Sequence, residues 1–241
     1  WISVFTIAAN GALASASDFP DNGTRSFDSP HSVSTTVVDG TTYLFVGGGS
    51  YYSGGLSVFS VASNGTLTNV ENVSDSGSLN LRGDVSVTTA AIDGTTFLFA
   101  AGRLDSGVSV FSVAANGALT NVANLSDSAG RLINTTSGLS VFTYDGSTYL
   151  VVAGEWDDGF SVFSVAANGA LTPVADIADD STKLLDNLHA VVSGTIDGMP
   201  YIFTGASLDD GISSFTVDNT APLVASIDRQ TPATSPTSDD S

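Results

Sequence analysis

The stretch Leu56-Ser-Val-Phe-Ser-Val-Ala-Ser-Asn-Gly-Thr-Leu67 decides the fold, because the chain keeps returning to it. It stands earlier as Ile2-Ser-Val-Phe-Thr-Ile-Ala-Ala-Asn-Gly-Ala-Leu13 and later from Val108 to Leu119 and from Phe160 to Leu171. A shortened copy, Ile212-Ser-Ser-Phe-Thr-Val217, closes the series. The copies begin at 2, 56, 108, 160 and 212, so their spacings are 54, 52, 52 and 52 residues. A second marker, Asp-Gly, keeps the same beat at Asp39, Asp93, Asp145 and Asp197.

Each unit reads as four strands. In the first full unit, strand a is Ser32 to Val38, strand b is Thr41 to Val46, strand c is Leu56 to Ala62 and strand d is Thr66 to Val73. Asp39-Gly40 joins a to b and Asn64-Gly65 joins c to d; both pairs suit a two-residue hairpin turn, whose central residues need positive φ. In strand c of the next unit, Val108 and Val110 take one face while Phe111 and Val113 take the other. Apolar residues on both faces suit a sheet sandwiched between neighbours. Four antiparallel strands at a period near 50 residues indicate an all-β propeller. The recurring Phe5, Phe59, Phe111, Phe163 and Phe215 are read as inter-blade packing.

The blades span residues 1–218: a partial blade at 1–18, blades at 31–75, 84–127 and 136–179, and a partial blade at 188–217. About four blades are present, and because the pattern starts inside a unit they are expected to be a fragment of a larger, seven-bladed ring. In the alternative, the leading c–d pair completes the last unit and closes a four-bladed ring. Residues 219–241 turn to Pro, Thr, Ser and Asp. That composition reads as a linker, and the stretch around Asn219-Thr-Ala-Pro222 also resembles the first strand of a bacterial immunoglobulin-like module. Neighbouring domains in a longer parent chain are therefore expected.

Composition narrows the function. Six basic and 25 acidic residues give a formal charge of −19, which argues against nucleic-acid binding. With no Cys, disulfide scaffolds and Cys-based zinc sites are excluded. No run of roughly 18 apolar residues exists to insert into a membrane as a helix. Only Glu71 and Glu155 are glutamate and Lys183 is the single lysine, so helix formers are nearly absent. The Asp-rich balance suits an extracellular or cell-surface setting.

Turns a–b and c–d are short and lie on one face of the propeller; the longer b–c and d–a loops lie on the other, where function on rigid scaffolds concentrates. The few cations gather there. Arg25, Arg82, Arg131 and Lys183 fall in d–a loops and Arg103 in a b–c loop, making them candidate ligand-binding groups. His31 and His189 share one repeat position at the start of strand a, the innermost strand, where the other units carry Val85 and Ser137. Near the channel mouth they are candidate catalytic groups, since imidazole can serve as a general base. Asp157-Asp158-Gly159 and Asp209-Asp210-Gly211 occupy equivalent b–c loops. Their hard oxygen donors suit Ca²⁺, although no cofactor is required and the EF-hand spacing is absent.

Several motifs resemble a known family. Pro30-His31 entering a strand, Asp39-Gly-Thr-Thr-Tyr-Leu-Phe-Val46, a Gly-rich loop, Leu56-Ser-Val-Phe-Ser-Val61, Asn64-Gly-Thr-Leu67 and Leu188-His189-Ala-Val191 look like blades of the seven-bladed lactonase family, which includes 6-phosphogluconolactonase-type enzymes. The resemblance implies lactone hydrolysis with His and Arg near the channel; His31 and His189 match in context. Such repeats also resemble those of very large bacterial surface proteins. Without a full catalytic set, the leading expectation is a non-enzymatic binding or display module of an exported bacterial multidomain protein, with an unidentified ligand on the long-loop face. The alternative is a lactonase-like hydrolase of an anionic sugar lactone.

Overall fold

The computed structural model describes residues 2–20, 29–128, 130–217 and the backbone of 224–230. They are all-β. Strands β1 (Ile2–Ile7) and β2 (Leu13–Phe19) form a hairpin. Four antiparallel sheets follow: β3 (Pro30–Val38), β4 (Thr41–Ser50), β5 (Ser53–Val61) and β6 (Leu67–Ser74); then β7 (Val85–Ile92), β8 (Thr95–Gly102), β9 (Gly107–Val113) and β10 (Leu119–Ser126). The third holds β11 (Thr136–Tyr144), β12 (Ser147–Gly154), β13 (Gly159–Val165) and β14 (Leu171–Ala178). The fourth holds β15 (Leu188–Ile196), β16 (Met199–Ala206), β17 (Gly211–Val217) and β18 (Val224–Gln230). Within each sheet the strands pair in chain order, and β3, β7, β11 and β15 lie side by side as the inner strands. These are the blades of a β-propeller.

The last blade differs from expectation, and the leading hairpin rules out the four-bladed alternative. The fourth strand of the last blade is β18, which pairs antiparallel with β17, so 224–230 is neither linker nor the opening of a separate module. The leading hairpin does not complete that blade. It packs on the β3–β6 sheet instead, with Ile2, Val4 and Phe19 against Leu44, Val46, Phe59 and Leu67.

The two kinds of hairpin also have different physical bases. At the a–b turns both residues are left-handed, as at Asp39 (φ 47°) and Gly40 (φ 77°), matching the expected two-residue turn. At the c–d turns only the glycine is. Gly65 N–H donates to Ala62 O at 2.8 Å and Ala62 N–H to Thr66 O at 2.9 Å, which closes a three-residue loop with Gly65 left-handed at φ 83°. The Asn64 side chain accepts from Thr66 N–H at 3.0 Å and so replaces the expected left-handed backbone with a side-chain cap.

The core lies between blades. In β9, Val108 and Val110 pack toward the next blade and Phe111 and Val113 toward the previous one. The recurring phenylalanine is buried at Phe59, Phe111, Phe163 and Phe215, all 0–2% exposed, yet Phe5 at the outer face of the leading hairpin is 53% exposed. This internal control yields a prediction. Phe163→Ala should cost about 3–5 kcal/mol in urea unfolding, the usual range for emptying a buried aromatic site, whereas Phe5→Ala should cost less than about 1 kcal/mol. Equal losses would refute inter-blade packing as the source of stability.

Candidate functional site at the channel mouth

The starts of the inner strands and the ends of the second strands converge on the long-loop face. They enclose a cleft of about 370 Å³ to which all four complete blades contribute. The first blade supplies His31; the second Asp84, Ser86 and Arg103; the third Thr136, Ser137 and Glu155; the fourth His189. An adjoining space of about 270 Å³ shares both histidines and runs along the inner strands. Hydroxyl groups tie those strands together. Ser34 Oγ lies 3.2 Å from Thr89 Oγ1, Ser140 Oγ lies 2.8 Å from Ser193 Oγ, and Ser137 Oγ donates to Leu188 O at 2.6 Å.

Two ion pairs cross blade boundaries in the cleft. His31 Nε2 stands 2.8 Å from Asp84 Oδ1, with both side chains partly exposed. At that distance the carboxylate accepts a hydrogen bond from Nε2–H, which leaves Nδ1 as the nitrogen not engaged by Asp84. Arg103 grips Glu155 with three contacts: Nε to Oε2 at 3.1 Å, Nη2 to Oε1 at 2.8 Å and Nη2 to Oε2 at 2.7 Å. This fork geometry is the strong form of an ion pair. Glu155 is 8% exposed by side chain and Arg103 35%. Residues 103 and 155 are 52 apart, one repeat, so the same structural position carries a cation in one blade and an anion in the next.

The structure thus brings together His31, His189 and Arg103 of the expected residues and adds Asp84 and Glu155. His189 is exposed and has no ion pair among the described residues. The other expected cations are engaged outside the cleft. Arg82 donates to Leu104 O at 3.0 Å and lies 3.4 Å from Asp105. Arg131 donates to Ser126 O at 2.9 Å and to Ser128 Oγ at 2.5 Å. Lys183 pairs with Asp180, whose carboxyl is held well below the usual range by that ammonium and by the Thr182 hydroxyl and amide. Arg25 lies outside the described residues.

The acidic b–c loops hold the neighbouring d–a loops in place. Asp105 Oδ2 accepts from Arg82 N–H at 2.9 Å, Asp157 Oδ2 from Asn134 N–H at 2.9 Å and Asp209 Oδ2 from Asp186 N–H at 3.0 Å. Asp158 Oδ1 accepts from Asn187 N–H at 2.8 Å, and Asp210 adopts the same left-handed turn as Asp158, with φ near 48°. Among the described residues, no group of three or more His, Asp or Glu is arranged to hold a metal ion.

No protein-family model matches the sequence, and no curated protein matches it. Solved structures do resemble the fold. A protein from Lactobacillus plantarum superposes with a TM-score of 0.66 at 16% identity, over 95% of this chain and 61% of its own. A protein from Bacteroides uniformis, named as a candidate 6-phosphogluconolactonase, gives 0.65 at 20% identity over 92% and 62%. An exo-β-1,3-galactanase from Phanerochaete chrysosporium gives 0.56 at 13% identity over 95% and 54%. The chain spans about three fifths of the first two proteins' lengths. At these identities the likeness establishes the propeller fold and nothing about chemistry.

Two predictions come from the loop electrostatics. Arg103→Ala leaves the buried Glu155 carboxylate without its partner and should destabilise by about 3 kcal/mol, the low end for breaking a buried pair because Arg103 is partly exposed. Adding Glu155→Gln should recover most of that loss in thermal melts. The second concerns pH. Burial raises the Asp75, Asp127 and Asp186 carboxyls, helped by repulsion from Asp105 at Asp75, from Asp157 at Asp127, and from Asp158, Asp209 and Asp179 at Asp186. A carboxyl whose folded value is raised binds its proton more tightly when folded, so stability should increase as pH falls toward the ordinary Asp range. The melting temperature should therefore be higher at pH 5 than at pH 7.5, and Asp186→Asn should shrink the difference. A melting temperature that falls over this window would contradict the assignment.

Proposed function

We propose that the chain is a non-enzymatic binding module whose cleft takes a small, uncharged, hydroxyl-rich ligand. One observation carries this reading: the charged groups of the cleft other than His189 are already matched in pairs, His31 with Asp84 and Arg103 with Glu155. Such a cleft offers many hydrogen-bond donors and acceptors, and its one arginine already holds a carboxylate. An anionic ligand would meet a guanidinium already forked onto Glu155 and a chain of charge −19. A neutral polyol would meet the Ser86 and Ser137 hydroxyls beside the two pairs. Export to a bacterial cell surface, next to further domains, belongs to the same reading and rests on the Asp-rich composition and the repeat pattern.

A lactone hydrolase is the second reading, and the His31–Asp84 contact favours it. With Nε2–H held by Asp84, Nδ1 can take a proton from a water molecule as that water adds to a lactone carbonyl. The ring oxygen would then leave and recover a proton, giving the hydroxy acid. His189 is the second imidazole on the same cleft.

The readings separate in one set of measurements. Calorimetric titration with neutral monosaccharides, glucono-δ-lactone and 6-phosphogluconate should show binding of the neutral compounds and weaker binding of the phosphorylated one. Lactone opening should not exceed the spontaneous rate. Turnover that is lost in both His31→Ala and His189→Ala, or a preference for the phosphorylated sugar, would overturn the binding-module reading.

A further inference from the structure

The first blade departs from its neighbours at one place near the cleft. Its repeated motif starts at Leu56, 17 positions after the Asp39 of its Asp-Gly turn, where the others start 15 positions after theirs. The added length extends the β4–β5 hairpin to the pair Ser50–Ser53, and the tip residues are Tyr51 and Tyr52. Both are solvent-facing, at 71% and 89% exposure. Their rings meet edge to face, with centroids 5.0 Å apart and planes at 77°. Trp156, at the matching tip of the third blade and directly after Glu155, is also 71% exposed. Burial in the core does not explain three large aromatic rings exposed on loop tips of the long-loop face.

Tyr51 also bounds a space of about 120 Å³ with Gly83, Asp84, Arg103 and Leu104. Asp84 and Arg103 line the main cleft as well, so the two spaces share a wall. The polar cleft thus runs out onto an aromatic surface. We propose that this site takes a neutral oligosaccharide of two or more rings. One ring sits in the cleft with its hydroxyls on the His31–Asp84 and Arg103–Glu155 pairs, and the next lays its C–H face on Tyr51. The proposal rests on the reading of the cleft as a ligand site and adds the ligand's class and extent. Aromatic rings combine apolar faces with low ordering cost, and a pyranose presents both an apolar face and a polar edge.

The test uses the whole chain and neutral glucose-, galactose- and N-acetylglucosamine-based sugars of one, two and three rings, titrated by calorimetry. At least one two-ring sugar should bind about tenfold tighter than its component monosaccharide, the gain a single stacking contact brings. Tyr51→Ala should abolish that gain and leave monosaccharide affinity unchanged, while Tyr51→Phe should keep it. The exposed tip makes both variants safe for folding, which a thermal melt verifies. Monosaccharide binding with no gain from a second ring, or a gain that survives Tyr51→Ala, overturns the extension and leaves the cleft reading intact. No binding of any of these sugars overturns both.

Discussion

The structure depends on one constraint: strand c must bury both of its faces between two neighbouring sheets. Val108 and Val110 face one way and Phe111 and Val113 the other, in separate clusters that each draw on two blades. A sheet with two apolar faces is not stable alone, so stacking is obligatory and each blade fixes the position of the next. The contrast between Phe5, half exposed, and its buried counterparts shows how much of that burial belongs to the neighbour rather than to the blade itself.

Rigid stacking is what allows a site to be assembled from single residues on different blades. Each blade brings one or a few groups to the mouth, and none of them forms a constellation within its own sheet. The Arg103–Glu155 pair is the clearest case. Because equivalent positions of adjacent blades are neighbours in space, a charge reversal across one repeat produces a fork-shaped ion pair across a blade boundary. The pair joins two blades and cancels the charge of both its members. The acidic loops follow the same logic one layer out, where Asp105, Asp157 and Asp209 each cap an amide 23 residues upstream.

The repeat made the fold legible in the sequence, as it did the convergence of His31 and His189, because period and alternation report directly on stacking and on strand parity. The c–d turns were less legible: Asn-Gly is compatible with two backbone solutions, and the Asn64 side-chain cap selects the three-residue one. The last strand was illegible, since β18 has a linker-like composition and gains its structure from the open edge of β17. At the site, Asp84 passed unnoticed because it lies one residue before the histidine position of its unit, where a repeat comparison does not look for an acid. Glu155 did carry a readable signal, the opposite charge at the position of Arg103 one period away. Pairing of that kind becomes visible only when the units are compared as neighbours instead of as copies.

That comparison also changes the meaning of the cations. Read along the chain, Arg82, Arg103, Arg131 and Lys183 mark the long-loop face as a place for an anion. In the folded chain each of them is met by a carboxylate, a carbonyl or a hydroxyl of its own or an adjoining loop. These four cations are thus engaged by the protein's own loops, where they offset part of the repulsion that so much negative charge would set against folding. On the proposed reading, selectivity then falls to what charge does not decide: the spacing of hydroxyls and paired polar groups in the cleft, and the Tyr51 ring beside it.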